Sequence, residues 1–256
     1  MILALNIGNT HILLGVWQQD QLLFRATLSA ETSRSTDEYA IQLLSLFSLH
    51  GLRPDQLEGA ILSSVVPSLT ARLRQAVQQL CQLRVMTVGP GLKSGLAIRI
   101  DNPAQLGSEL VCAAIGALET FQPPLVVITM DTAISMMAID ARRQLLGGVI
   151  LPGPEVSLEA LIRRTAQLPQ VDLEAAPAGV IGTNTTLSLQ AGAVLGTATL
   201  LDGMLARFSA EMGGPVTAVC TGRMHRSILA ACATPLEYDQ DLILRGLWRI
   251  YQKNRR

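Results

Sequence analysis

Ile2-Leu3-Ala4-Leu5 is an unbroken apolar run that leads into the polar stretch Asn6-Ile7-Gly8-Asn9-Thr10. A short apolar run closed by Gly and Asn predicts a buried strand that ends in a turn. The chain runs back through His11 to Trp17, turns at Gln18 to Gln21, and continues as a third strand from Leu22 to Thr27. Ser29 to Ser35 is polar and loop-like. A helix is expected from Thr36 to about His50, with Thr36 as N-cap and Asp37 and Glu38 suited to the positive end of the helix dipole. Ala60 to Pro67 predicts a strand, and a helix follows from Pro67 or Ser68 to about Leu80, with Leu69, Leu73, Val77 and Leu80 on one face. Leu83 to Val88 is a short strand, Asp101-Asn102-Pro103 a turn, and Ala104 to Leu118 an apolar helix with Gly107 near its start.

The pattern restarts after Pro123-Pro124. Leu125 to Thr129 is an apolar strand, Met130 to Ala133 a turn, and Ser135 to Ile139 a second strand, which echoes the first ten residues. Gly147 to Gly153 is a third strand. Helices are expected at Glu155 to Gln167, Leu187 to Phe208 and Asp241 to Lys253, with a strand at Val216 to Cys220 ending at Thr221-Gly222. The Leu187 to Phe208 helix is rich in small residues (Ala191, Gly192, Ala193, Gly196, Ala198), which predicts that something packs closely on it. Strands alternate with helices, so the class is α/β. The mid-chain echo predicts a duplicated architecture, divided here into domains 1–118 and 119–256.

Composition narrows the function classes. Of 256 residues, 49% are hydrophobic and 16% charged, which excludes a disordered chain. A formal net charge of zero gives nucleic acid or an anionic membrane no electrostatic purchase. Cys81, Cys112, Cys220 and Cys232 are widely spaced and without metal-ligand spacing, so reduced core cysteines are expected. No basic leader with a cleavage site is present, and no apolar run reaches the roughly 18 residues that span a bilayer. The expectation is a cytoplasmic protein with small-molecule partners. His11 is read as a packed strand residue, and His50 and His225 as surface residues.

A glycine turn carrying amides and hydroxyls between two strands can hold an anion such as phosphate. An ordinary hairpin turn containing Asn and Gly reads the same way, so the turn alone leaves both open. The order of the longer segments says more. GNTH (Gly8 to His11), TDEY (Thr36 to Tyr39), SSVVP (Ser63 to Pro67), VGPGLKSGL (Val88 to Leu96) and DNPAQLG (Asp101 to Gly107) are followed by GGVILPG (Gly147 to Gly153), TAQLP (Thr165 to Pro169), IGTNTTLSLQAG (Ile181 to Gly192) and the Leu242 to Leu247 tail. In this order and spacing the chain resembles the type III pantothenate kinases, of the actin/Hsp70/sugar-kinase superfamily. The resemblance implies two similar ribonuclease-H-like domains, mixed sheets flanked by helices, with a nucleotide cleft between them. It implies ATP-dependent phosphorylation of the primary hydroxyl of pantothenate, the first step toward coenzyme A. By the same resemblance Asn6, Ile7, Gly8, Asn9 and Thr10 form the loop for ATP phosphates, with Mg²⁺ at position 6. Gly107, Ser108, Glu109 and Leu110 occupy the substrate-binding motif, and Glu109 stands at the catalytic base. Thr129 occupies a position for a monovalent cation (K⁺ or NH₄⁺), Thr132 contacts phosphate, and Gly222 lies in the nucleotide turn. A homodimer is implied, with Thr185 contributing to a substrate pocket at its interface.

The chain departs from that pattern where the chemistry sits. Asn6 replaces an Asp, Glu109-Leu110 an Asp-Arg pair, Ile100 a substrate-contacting Tyr, Thr129 an Asp, Asp131 a Gly, and Arg223 the last Gly of the nucleotide turn. Mg²⁺ takes carboxylate or water oxygens, and Asn6 offers a neutral carbonyl. Glu109 keeps a carboxylate one methylene further out, and a misplacement of about 1 Å costs roughly a hundredfold in rate. Leu110 supplies none of the fixed charge with which Arg grips a carboxylate. Three readings follow: a divergent pantothenate kinase, a catalytically degenerate relative that binds a ligand or protein, or a kinase for another small alcohol.

Overall fold

The computed structural model describes residues 1–255. In chain order the elements are β1 (Ile2–Ile7), β2 (His11–Gln18), β3 (Gln21–Ser29), α1 (Thr36–Leu49), β4 (Gly59–Ser64), α2 (Pro67–Cys81), β5 (Val85–Thr87), β6 (Ala97–Ile98) and α3 (Ser108–Thr120). They continue with β7 (Leu125–Met130), β8 (Ala133–Ile139), β9 (Gln144–Pro152), α4 (Pro154–Arg163), α5 (Thr185–Glu211), β10 (Thr217–Gly222), α6 (Arg226–Ala231), β11 (Leu236–Tyr238) and α7 (Leu242–Asn254). Two compact units result. One holds residues 1–96, 101–119 and 241–255, the other 97–100 and 120–240. The sequence division at 118/119 puts residues 97–100 in the first domain and the closing helix in the second, whereas 97–100 join the second unit and α7 packs on β1, β2 and β4 of the first.

The first sheet has the order β3-β2-β1-β4-β5, with β1, β2 and β3 antiparallel and β4 and β5 parallel to β1. The second has the order β11-β10-β7-β8-β9-β6, so that β7, β8, β9, β10 and β11 repeat the directions of the first five strands. The echo of apolar strand, turn and second strand is thus a repeat of one sheet topology, flanked by helices as an α/β protein requires.

Side chains alternate across each strand. In β1, Leu3, Leu5 and Ile7 join a core with Tyr39, Leu43 and Phe47 of α1 and Leu69, Leu73 and Val77 of α2. Ile2, Ala4 and Asn6 therefore lie on the opposite face of the sheet, where α7 packs. There Tyr251 closes on Gly59, and Trp248 stacks on Trp17 with ring centroids 5.8 Å apart. α7 meets α3 backbone to backbone: a Cβ on Gly246 would collide with the Cys112 carbonyl oxygen, and one on Gly116 with that of Leu242.

Several local expectations need correction. Ser35, not Thr36, caps α1. Its hydroxyl accepts from the Glu38 N–H at 3.2 Å while the Glu38 carboxylate accepts from the Ser35 N–H at 2.7 Å. This reciprocal pair satisfies two free amides at once. Pro103 starts a separate short 3₁₀ turn (Pro103–Gln105), so α3 begins at Ser108 rather than Ala104. α5 is longer than expected, and its N-cap is Asn184, leaving Thr185 as its first, exposed residue. α5 corrects the expectation that no apolar stretch is long enough for a bilayer: by length and composition it is, with 28% of its most apolar window buried. Its small residues do not all pack within the chain. Ala191, Val194, Ala198, Leu201 and Leu205 are buried, but a Cβ on Gly192, Gly196 or Gly203 would meet nothing within 4 Å. All four cysteines are free, as expected. Burial pushes the Cys112 thiol up to about 12 and the Cys81 thiol to about 11.

These glycines separate packing from propensity. Gly246→Ala forces the α3 and α7 backbones apart and is expected to cost about 3 kcal/mol, read as a lower urea midpoint. Gly192→Ala meets open space and should leave stability unchanged or raise it by up to about 1 kcal/mol. Equal effects from the two variants would contradict this account of the helix contact.

Candidate active site

Water-excluding strands hold few polar side chains, and the few that are buried mark one place in each sheet. Five of the seven buried polar residues among those described are Asn6, Ser63, Thr129, Ser135 and Thr221. Asn6 on β1 pairs in register with Ser63 on the parallel β4, at the carboxyl ends of both strands. Thr129 on β7 pairs with Thr221 on the parallel β10 at the corresponding point, and with Ser135 on β8. Buried polar groups are tolerated when hydrogen-bonded or when they serve a ligand.

In the first unit Ser63 Oγ donates to Asn6 Oδ1. The Val65 N–H donates to the Ile7 carbonyl at 3.1 Å and continues the β1–β4 pairing past Ser64. The chain then turns at Gly8, whose N–H donates to the His11 carbonyl at 2.9 Å. Ile7 and Gly8 are buried, while Asn9 and Thr10 are exposed at the tip. His11 is half-buried, and its Nδ1 lies 2.9 Å from Thr10 Oγ1.

α3 is fastened to the same strand end. Ser108 Oγ donates to the Ser64 carbonyl and accepts from the Ser64 N–H, both at 3.1 Å. Gly107, Ser108 and Glu109 are half-buried at the helix start, where the dipole favours a carboxylate. Leu110 is 8% exposed, part of the interior. The structure therefore brings Asn6, Ile7, Gly8, Ser108 and Glu109 around one strand end. Ser63 and Ser64 join them; the SSVVP segment carried that signal, but the pairing that makes it local spans 57 residues.

In the second unit the loop after β7 is Asp131-Thr132. The Asp131 N–H donates to the Ala133 carbonyl at 3.0 Å and the Gly153 N–H to the Thr132 carbonyl at 3.0 Å. Thr132 Oγ1 is buried and without a protein partner. Gly222 ends β10 at φ +93°, a left-handed conformation, and a Cβ there would collide with the Met130 carbonyl oxygen. The Arg223 N–H donates to that carbonyl at 2.6 Å. The Arg223 guanidinium is turned back on α4 and holds Glu155 through two bonds of 3.0 and 3.2 Å. His225 corrects the surface reading. It is buried, with Nδ1 2.8 Å from Glu174 Oε1 and Nε2 3.4 Å from Glu155 Oε1, on the wall of a cavity of about 460 Å³ that α4 and residues 170–173 also line. Glu174 lies 51 residues away, beyond the reach of any sequence window. Thr185 sits apart from these groups in the chain, at the exposed start of α5.

The first loop does not fit an inner-sphere Mg²⁺. Its one buried polar group is a neutral amide whose oxygen is taken by Ser63. No group of three His, Cys, Asp or Glu side chains able to hold a metal exists among the described residues. Thr129, which the resemblance set at a monovalent cation, offers a buried hydroxyl and no charge. The orphaned Thr132 hydroxyl, by contrast, suits an oxygen-rich ligand.

A family model described as type III pantothenate kinase matches residues 2–207. A type III pantothenate kinase from an Exiguobacterium species is 37% identical over 256 residues and covers 100% of both chains. One from Myxococcus xanthus is 37% identical over 254 residues, 99% of each. Among solved structures, the activator of the 2-hydroxyisocaproyl-CoA dehydratase from Clostridium difficile shares the fold at TM-score 0.55 and 12% identity, over 96% of this chain and 91% of that one. A protein described as a 2-dehydro-3-deoxygalactonokinase from Sinorhizobium meliloti does so at TM-score 0.58 and 11% identity, over 98% and 96%. The sheet order found twice is thus the expected fold of the actin/Hsp70/sugar-kinase group, and by full-length likeness to named kinases the chain belongs to the type III pantothenate kinase family.

Proposed function

We propose that this member of the family keeps the two phosphate-holding loops and carries out ATP:pantothenate phosphotransfer very slowly or not at all. The observation that carries this reading is the substrate segment at the start of α3. A pantothenate carboxylate needs a cation there, and Leu110 places an apolar side chain in the interior instead. Glu109 remains as the group for the substrate proton, one methylene from where an Asp carboxylate would sit. Asn6 adds no negative charge to the first loop, and Asp131 sets a carboxylate in the second, against the phosphates of ATP. Arg223 does not answer that charge, because its guanidinium is committed to Glu155. A second reading, an acceptor alcohol without a carboxylate, accounts for Leu110 and Ile100 together but not for Asn6. A net charge of zero supports a cytoplasmic protein acting on small molecules rather than on nucleic acid or membrane.

We also propose a homodimer with Thr185 at or near its interface. Gly192, Gly196, Leu200 and Gly203 lie on the exposed side of α5, and Val180 and Ile181 ahead of it are 77% and 85% exposed. An apolar strip of this kind supports self-association. Sedimentation at micromolar concentration should give a dimer, and Gly196→Arg should shift it to monomer with unchanged circular dichroism. A monomeric parent protein would remove the proposal.

For catalysis, a coupled ADP-release assay with pantothenate should show turnover well below 1 s⁻¹, the lower end of the range for kinases of roughly 1–100 s⁻¹. Asn6→Asp, Glu109→Asp and Leu110→Arg together should raise it by on the order of a hundredfold or more, with Asp131→Gly as a further addition. Each alone should do little, since groups that act as a unit are not additive. Turnover of the unmodified protein at about 1 s⁻¹ or faster overturns the reading, and Glu109→Gln then becomes the test of the base.

A further inference from the structure

Asn6 does more than omit a charge. Its side chain is 6% exposed. An amide presents one acceptor oxygen and an amine with two N–H donors. The oxygen accepts from Ser63 Oγ. Ser63 takes one lone pair of that oxygen, while the two N–H groups of the Nδ2 amide nitrogen make no hydrogen bond to the described residues. A carboxylate of the same shape would turn a second acceptor outward, and an acceptor repels a bare phosphate unless a metal ion stands between. An N–H donor attracts the phosphate oxygen directly. The start of α3 lies beside it through the Ser64–Ser108 bonds and adds the positive end of a 13-residue helix. Glu109 in that first turn opposes an anion and keeps the affinity modest.

We propose that the first loop of this chain is a metal-independent site for a phosphate-type oxyanion, held through Asn6 Nδ2. The proposal rests on the reading that this loop faces phosphates. It reverses the expected role of the divalent ion: Mg²⁺ bound to the phosphates covers the oxygens that Asn6 would contact and leaves affinity unchanged or lower.

The test is calorimetry on the full chain with ATP and with inorganic pyrophosphate, each in EDTA and in excess Mg²⁺. ATP in EDTA should bind at least as tightly as with Mg²⁺, and pyrophosphate should follow the same sign. Asn6→Asp should weaken binding in EDTA by on the order of tenfold or more, the worth of a hydrogen bond to a charged group, and should make binding Mg²⁺-dependent. Ser63→Ala leaves the charge unaltered, frees the amide to rotate, and should weaken binding a few-fold. It keeps the test open if the buried Asp of Asn6→Asp prevents folding. ATP binding that requires Mg²⁺ overturns the proposal, as does no binding of either probe in EDTA. ATP bound in EDTA while pyrophosphate is ignored places recognition on the nucleoside and also overturns it. None of these outcomes touches the slow-turnover reading, which fails only on the ADP-release rate.

Discussion

A parallel strand pair entered through an antiparallel hairpin fixes the geometry of everything chemical in this chain. β1 and β4 lie in register from Ile2 opposite Gly59 to Ile7 opposite Ser64, so Asn6 and Ser63 end side by side. β7 and β10 do the same for Thr129 and Thr221. Parallel strands must be joined by a long connection, which frees the carboxyl ends of both strands to carry loops. Each sheet thereby places a tight turn, two buried polar side chains and a following helix or turn at one edge. The polar pairs are buried because they belong to strands, and they are tolerated because each has a partner or faces a loop.

Much of this was legible in the sequence, for identifiable reasons. Long apolar runs and helical spacing located nearly every element, because burial imposes periodicity on neighbours in the chain. The mid-chain repeat showed in residues 125–139 because the same hairpin logic recurs. What the sequence hid depends on distance. His225 reads as a surface residue until Glu174 and Glu155 are folded against it. The short α6 and the three-residue β11 lack enough residues to show a period. Pro103 was legible as a breaker, but not that it starts a separate turn and moves the helix start to Ser108. The glycines on α5 looked like a packing face, and only the fold shows that three of them point into open space. At the site, residue identities gave the lost charges, while the fold alone shows where the remaining polar atoms are spent: Asn6 oxygen on Ser63, Arg223 on Glu155.

Those commitments explain why the substitutions do not repair one another. Arg223 adds positive charge near the second loop in sequence, yet two bonds to a carboxylate on α4 cancel it locally. Glu109 keeps an acid near the first loop, yet its neighbour Leu110 has joined the interior. Electrostatic balance in phosphoryl transfer depends on charges aimed at one point. Here the Arg223 charge is directed at a protein carboxylate.

The closing helix has a consequence for how the molecule is made. α7 covers the face of the first sheet at Ile2 and Ala4, and its Gly246 fits against α3 with no room for a side chain. Synthesis delivers this helix only after the entire 120–240 stretch of the second unit. While the chain is still growing on the ribosome, the first unit therefore waits with Trp17 and the α3 groove exposed to water, and the second unit has all its strands but the two-residue β6 in one continuous stretch. Order of birth and order of completion are inverted: the half begun first is finished last. Its apolar face is left uncovered at least until residues 242–254 have been made.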